Sequence, residues 1–281
     1  MALSHQGTEN IGFIGAGNMA NSLIRGMLAK GYPAGQLYAS DLDSAKLDGL
    51  QSECGIQIGS NAELVANCDV LVLAVKPQVM QKVCRELTKS FGEQAPLLVS
   101  IAAGITCQHL STWLGLNTPI IRCMPNTPSL VGQGATGLFA LPNVGEDQRN
   151  LCQTLMSSVG QSVWVEKESD IDGVTAVSGS GPAYFFLFME AMQESAIELG
   201  LSEEVARVLT YQTALGAAEL ALASKESTKQ LRKNVTSPGG TTEKAIQSFE
   251  AGGLRELVAT AMRSAQQRSV SLAAELGKDE T

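Results

Sequence analysis

The sequence predicts an α/β protein: an N-terminal domain built on a doubly wound sheet, followed by an all-helical C-terminal domain. Three observations carry this reading. Residues 10–166 alternate short apolar runs with helix-forming segments, the order expected of strand–helix–strand units. Several of those runs are apolar without a break, which suits parallel strands covered by helices on both faces. Beyond Asp170 the β-branched runs stop, and Ala, Leu, Glu, Gln and Lys dominate. The shift places the domains at 1–167 and 168–281.

Strands are expected at 11–14, 37–40, 70–75, 97–101 and 120–124, with a weaker one at 162–165. Helices are expected between them at 18–30, 43–51, 61–66, 78–89, 107–114 and 146–158. The second half reads as helices at 171–177, 182–199, 202–225, 228–235, 242–251 and 253–275. Ser202 followed by Glu203 and Glu204 marks a helix start, and Gly200 the end of the helix before it. The run Tyr184, Phe185, Phe186, Leu187, Phe188, Met189 is apolar around most of a helix. Such a helix must be covered on nearly every side. A second subunit is the natural source of that cover, so an oligomer is expected.

Composition narrows the function classes. Twenty Lys and Arg against 28 Asp and Glu leave a net charge of −8 over 281 residues, with no basic block. That balance argues against nucleic acid and against an anionic membrane surface. No stretch reaches the ~18 continuous apolar residues of a membrane helix. The cysteines, Cys54, Cys68, Cys84, Cys107, Cys123 and Cys152, form no C-x-x-C pair, and the histidines are His5 and His109. No metal site is expected from that spacing. The stretch from Met1 to Gln6 shows no basic segment leading into an apolar one, so a reducing, cytoplasmic setting is expected. His109, on an amphipathic helix, reads as structural.

Five motifs bear chemistry. The first places G-x-G-x-x-A at Gly15, Gly17 and Ala20, after a strand and before a helix. Gly15 suits the tight turn, Gly17 lets backbone approach a pyrophosphate, and Ala20 lets helix and strand pack closely. The helix start then offers N–H groups and partial positive charge to phosphates. Asp41 follows at the spacing of an acid that bonds the adenosine ribose hydroxyls of NAD, and would repel a 2′-phosphate. The alternative reading is a helix N-cap.

Ala74, Val75, Lys76 and Pro77, then Ile101, Ala102, Ala103 and Gly104, stand at the carboxyl ends of two strands, where such sheets bind ligands. Lys76 also fits a solvated surface lysine. The stretch Arg122, Cys123, Met124, Pro125, Asn126, Thr127, Pro128 is either a cleft wall or a structural turn. The last motif runs from Asn234 to Glu243 through Ser237, Pro238, Gly239, Gly240, Thr241 and Thr242. Its glycine pair before a Thr-started helix makes a nest sized for a carboxylate, or a capped turn without a ligand.

With no Ser-His-Asp arrangement, the hard chemistry falls to a cofactor. An imine suits such a site better than a ketone, because its nitrogen can already carry the proton.

Taken in order, these motifs resemble the pyrroline-5-carboxylate reductase family over about residues 10–275, together with Ser178, Gly179, Ser180, Gly181, Pro182, Ala183 and Tyr184. The resemblance implies a Rossmann domain with a helical dimerisation domain, in homodimers often assembled into decamers. It implies reduction of 1-pyrroline-5-carboxylate to L-proline by hydride from NAD(P)H.

It carries cofactor contacts to Ile14, Gly15, Ala16, Gly17, Asn18, Met19, Ala20, Asn61, Ala74, Val75, Lys76, Pro77, Ile101, Ala102, Ala103 and Asn234. It carries the substrate carboxylate to Ser237, Gly239, Gly240, Thr241 and Thr242, the ring nitrogen to the Thr242 hydroxyl, and a nearby acid to Glu168. Two positions depart from the family. Asp41 replaces a small hydroxyl residue, which tilts the expected cofactor towards NADH. Thr228 replaces a proline that would open the same helix.

A β-hydroxyacid dehydrogenase-like enzyme would need a lysine on the helix after Gly179 to Gly181, and the next lysine is Lys225. A non-catalytic dinucleotide sensor would bind NADH without oxidising it.

Overall fold

The computed structural model describes residues 9–92, 95–115 and 117–278. The stretch from Met1 to Gln6 and His5 within it lie outside the described residues. The chain packs as two units, one running to Ser180 and resuming at Ala265, the other Gly181–Ser264.

The first unit is built on eight strands: β1 Ile11–Ile14, β2 Leu37–Ser40, β3 Gln57–Ile58, β4 Val70–Leu73, β5 Leu97–Ser100, β6 Ile120–Met124, β7 Gly134–Ala140 and β8 Gly160–Trp164. Their order is β3-β2-β1-β4-β5-β6-β7-β8. Strands β1 to β6 are parallel, and β7 runs antiparallel to β6 with β8 parallel to β7. Helices α1 Asn18–Ala29, α2 Ser44–Cys54, α3 Asn61–Asn67, α4 Pro77–Leu87, α5 Cys107–Leu114, α6 Glu146–Ser157 and α7 Asp170–Val174 complete it.

Two apolar clusters explain the unbroken runs. Val70 and Val72 of β4 join Phe13, Leu23, Ile24, Met27, Val99 and Ile121. Leu71 and Leu73 of the same strand join Ile14, Leu64, Met80, Leu98 and Trp113. Alternate residues of one strand thus enter different cores, so no position is free to be polar.

Strands β3 and β7 were not expected from the sequence. The β7 segment carries two glycines in seven residues, a composition that disguises a strand. Both are there for close approach. A Cβ on Gly137 would stand 2.7 Å from the Val174 methyls, and one on Gly134 2.9 Å from the Val159 carbonyl.

The packing break falls at Ser180, later than the 167/168 boundary expected from composition. Helix α7 and the π-helical turn Thr175–Gly179 belong to the sheet unit. Ile171 and Ala176 are buried there, and Ser178 O accepts from Asn126 Nδ2 at 2.9 Å.

The second unit is helical: α8 Gly181–Glu198, α9 Glu203–Ala223, α10 Thr228–Asn234, α11 Thr241–Ala251 and the start of α12 Leu254–Leu276. The last turns of α12 pack in the first unit, where Ser269 Oγ donates to Asp172 Oδ1 at 2.6 Å. Within the second unit only Gly181, Ala206 and Thr210 are buried. Phe185, Phe186 and Leu187 on α8 are about two-thirds exposed in the single chain. No described helix is long and apolar enough to cross a membrane.

Candidate active site

In the first unit, the carboxyl ends of β1, β2, β4 and β5 lie side by side: Ile14 pairs with Ser40 and Leu73, and Leu73 with Ser100. This is where strand order reverses direction from β1, the position at which open α/β sheets take ligands. Expected cofactor positions Ile14 to Met19, Asp41, Asn61, Ala74 to Pro77 and Ile101 to Ala103 are all drawn to this edge. Gly15 has φ +100°, and a Cβ there would lie 2.8 Å from Ala74 O, so the turn excludes any other residue. Its N–H donates to Ser40 O at 2.8 Å, and Ala74 N–H donates to Ile14 O at 2.9 Å.

Gly17 is a different case. It is the N-cap of α1 at φ −74°, and a Cβ would meet no atom within 4 Å. Nothing in the chain requires glycine there, and the open space in front of it fits close approach by a pyrophosphate. The first turn of α1 has neither a side-chain cap nor an acidic residue of its own.

Asp41 resolves one alternative. Asp43 is the N-cap of α2, accepting from Ala45 N–H at 3.1 Å. Asp41 instead accepts Ala16 N–H at 2.7 Å and Asp43 N–H at 2.9 Å, tying the glycine turn to the end of β2. Burial raises its pKa, but these amides and the Lys46 charge outweigh burial and hold the carboxyl below its ordinary value. Asn61 opens α3 and accepts from Ser40 Oγ at 2.6 Å. Lys76 is exposed at the N-cap of α4, with Pro77 following as the first helical residue.

Asn126 proves structural: its amide donates to Ser178 O, and its oxygen accepts Ala135 N–H at 2.9 Å. His109 Nδ1 accepts Thr106 N–H at 3.3 Å and its ring stacks on Trp113. Burial lowers the His109 pKa, in keeping with a neutral ring.

Glu168 is not a free acid. Its Oε1 accepts Cys107 N–H at 2.7 Å, at the start of α5, and pairs with Arg122 Nη1 at 3.1 Å. The Arg122 side chain is only 4% exposed, so this carboxylate is what compensates a buried charge. No local pattern signals that pairing, because Arg122 lies on β6 and Glu168 in the turn between β8 and α7.

The remaining expected residues belong to the second unit. Asn234 ends α10, and its amide is engaged, donating to Glu226 Oε2 at 2.7 Å and accepting from Gln230 Nε2 at 2.8 Å. Ser237, Gly239, Gly240, Thr241 and Thr242 form the link into α11. Gly239 is left-handed at φ +73°, and Gly240 is the N-cap, without a side-chain cap. Thr241 and Thr242 are exposed.

The nest is narrower than its sequence suggests. Gly240 N–H donates to Ser237 O at 3.0 Å, and Gly239 N–H donates to Glu243 Oε2 at 2.9 Å. Glu243 was missed as a participant, although an acid three residues past an N-cap is the spacing at which a side chain reaches back. Among the described residues, the first-turn amides of Thr241 and Thr242, and the hydroxyls of Ser237, Thr241 and Thr242, have no hydrogen-bond partner.

Comparison with known proteins covers nearly all of the chain. Residues 168–272 match the family model described as pyrroline-5-carboxylate reductase dimerisation, and residues 10–104 match NADP oxidoreductase coenzyme F420-dependent. The pyrroline-5-carboxylate reductase of Pseudomonas aeruginosa is 52% identical over 96% of this chain and 99% of its own. The solved structure of the Coxiella burnetii pyrroline-5-carboxylate reductase superposes with a TM-score of 0.91 at 47% identity, covering 94% of this chain and 98% of that one. That of Plasmodium falciparum pyrroline carboxylate reductase, solved with NADP bound, gives 0.82 at 30% identity over 96% and 100%. The chain belongs to the pyrroline-5-carboxylate reductase family.

Proposed function

We propose that the protein reduces 1-pyrroline-5-carboxylate to L-proline with NAD(P)H, the final step of proline biosynthesis. The observation that carries the reading is a pair of helix starts, α1 and α11, each opening on a glycine with no side-chain cap. One suits a pyrophosphate and the other a small carboxylate. The reduced nicotinamide, when bound, supplies the hydride.

The chain does the rest. Ile14 to Met19 and the strand ends beside them hold the dinucleotide. The first-turn amides of α11 and the hydroxyls of Ser237 and Thr241 hold the substrate carboxylate. The Thr242 hydroxyl orients the ring nitrogen. That nitrogen enters protonated, so addition of hydride to the imine carbon gives the secondary amine directly and no strong general acid is needed. Glu168, clamped by Arg122, contributes as a fixed acceptor and not as a proton donor.

Asp41 favours NADH, because a 2′-phosphate would meet its carboxylate. The nearby Lys46 is shared, standing 3.7 Å from Asp43. The working unit is a homodimer, with a decamer as the larger assembly the family resemblance suggests. Six free thiols, five of them buried, suit a reducing cytoplasm.

Initial rates with 1-pyrroline-5-carboxylate, using NADH and NADPH in parallel, test the reading. Thr242→Ala is expected to lower kcat/KM by about 10–100-fold, the loss of one hydrogen bond to a charged group. Full retention would remove Thr242 from the site, and a strong NADPH preference would overturn the role given to Asp41.

A further inference from the structure

The loop read as the substrate-carboxylate site already carries a carboxylate of its own. Glu243 stands in the first turn of α11 and is the acidic residue of that turn. Its Oε2 receives Gly239 N–H at 2.9 Å, which braces the one left-handed residue of the loop. At the other end, Thr236 Oγ1 donates to Arg232 O at 2.6 Å and fastens the loop to α10. The loop is thus staked from both flanking helices, and the α11 stake is charged.

We propose that Glu243 is a positioning residue that fixes the substrate loop at a cost in affinity for the substrate's carboxylate. The proposal rests on the reading of this loop given above. A helix N-terminus presents only about half a positive charge, confined to its first turn. Glu243 draws on that field permanently, and a second carboxylate at the same turn meets its negative charge. The geometry separates the two effects. A glutamine keeps an oxygen to receive Gly239 N–H and removes the charge, whereas an alanine removes both.

The test uses the full chain, native and with Glu243→Gln or Glu243→Ala, varying substrate at saturating cofactor and cofactor at saturating substrate. Glu243→Gln is expected to lower KM for 1-pyrroline-5-carboxylate about threefold, the size of one exposed charge pair, with kcat within about twofold. Inhibition by proline should strengthen in parallel, and inhibition by prolinamide, which lacks the carboxylate, should not. Glu243→Ala should raise KM for the substrate, leaving KM for the cofactor unchanged. A rise in substrate KM in the glutamine variant equal to that in alanine would make the residue merely structural and overturn the proposal. So would an unchanged KM in the glutamine variant, or a prolinamide effect equal to that on proline. The glutamine comparison decides the matter even if the alanine variant fails to fold. The Thr242→Ala result separates the two levels: an unimpaired Thr242→Ala enzyme sinks the loop assignment itself. An impaired one, with glutamine neutral at 243, sinks only the role of Glu243.

Discussion

Gly15 and Gly17 stand two positions apart in one turn and are glycine for opposite reasons. Gly15 is required by the chain, which leaves no room for a Cβ beside Ala74 O and holds φ at +100°. Gly17 is required by nothing in the chain, which is what the proposed close approach of a pyrophosphate would need. Gly15→Ala should therefore cost stability, about 1–3 kcal/mol of backbone strain, seen as a lower unfolding midpoint. Gly17→Ala should cost about 1 kcal/mol or less, the small change of an N-cap, yet raise KM for the dinucleotide at least about tenfold. A Gly17→Ala enzyme with native cofactor KM would show that the backbone is not approached at that point. At this scale, residues tied to one local turn are legible in advance and those paired across the chain are not. Spacing after a strand singles out Gly15, Gly17 and Asp41, which the fold brings together at one sheet edge. Arg122 with Glu168, and Asn126 with Ser178, are pairings across elements, and no local pattern announces them.

Among the elements, α10 and α11 are held by a three-residue clamp. Glu250 receives Arg232 Nη1 at 2.9 Å and Arg255 Nε at 2.8 Å, joining the end of α10 to the end of α11 and the start of α12. The hydrogen bond from Arg255, with help from Arg232, draws the Glu250 carboxyl down to about 2 from an ordinary 4.5. A depressed folded-state value means that the clamp stabilises fully above the unfolded value and fades as pH falls towards the folded one. Glu250→Gln should then lower the unfolding midpoint at neutral pH, with the gap to the native chain closing between about pH 4.5 and 2. Thermal melts across that range check it, and a gap constant with pH would remove the charge from the explanation. Element order was legible wherever a run was uniformly apolar or regularly amphipathic. It failed at β7, because two glycines chosen for close contact with Val174 and Val159 leave no strand-like pattern. The packing break lies at Ser180 because α7, which looks helical in sequence, is buried against the sheet it packs on, while the dimerisation family model begins at residue 168.

On the scale of the whole molecule, the second unit has too little interior to account for itself. Gly181, Ala206 and Thr210 are its buried residues, while Phe185, Phe186, Leu187, Leu209 and Leu222 stand open in the single chain. Exposed apolar area of this kind marks an association surface, and the dimerisation family matched over residues 168–272 names the kind of partner. Phe186→Asp should shift the protein towards the mass of one chain in size-exclusion chromatography with light scattering, and lower its unfolding midpoint. An unchanged mass would place the contact elsewhere on the helices. The route of the chain has a consequence for the order in which the protein is made. Gly104, at φ +76° after the Ile101–Ala103 stretch, lies under Leu272 and Leu276 at the far end of α12. The glycine turn and most of the sheet leave the ribosome early. The residues that close over Gly104 are synthesised only after the entire second unit. The cofactor-binding half is thus begun first and finished last, so nascent chains halted inside α12 should display a nearly complete sheet with that one turn still bare.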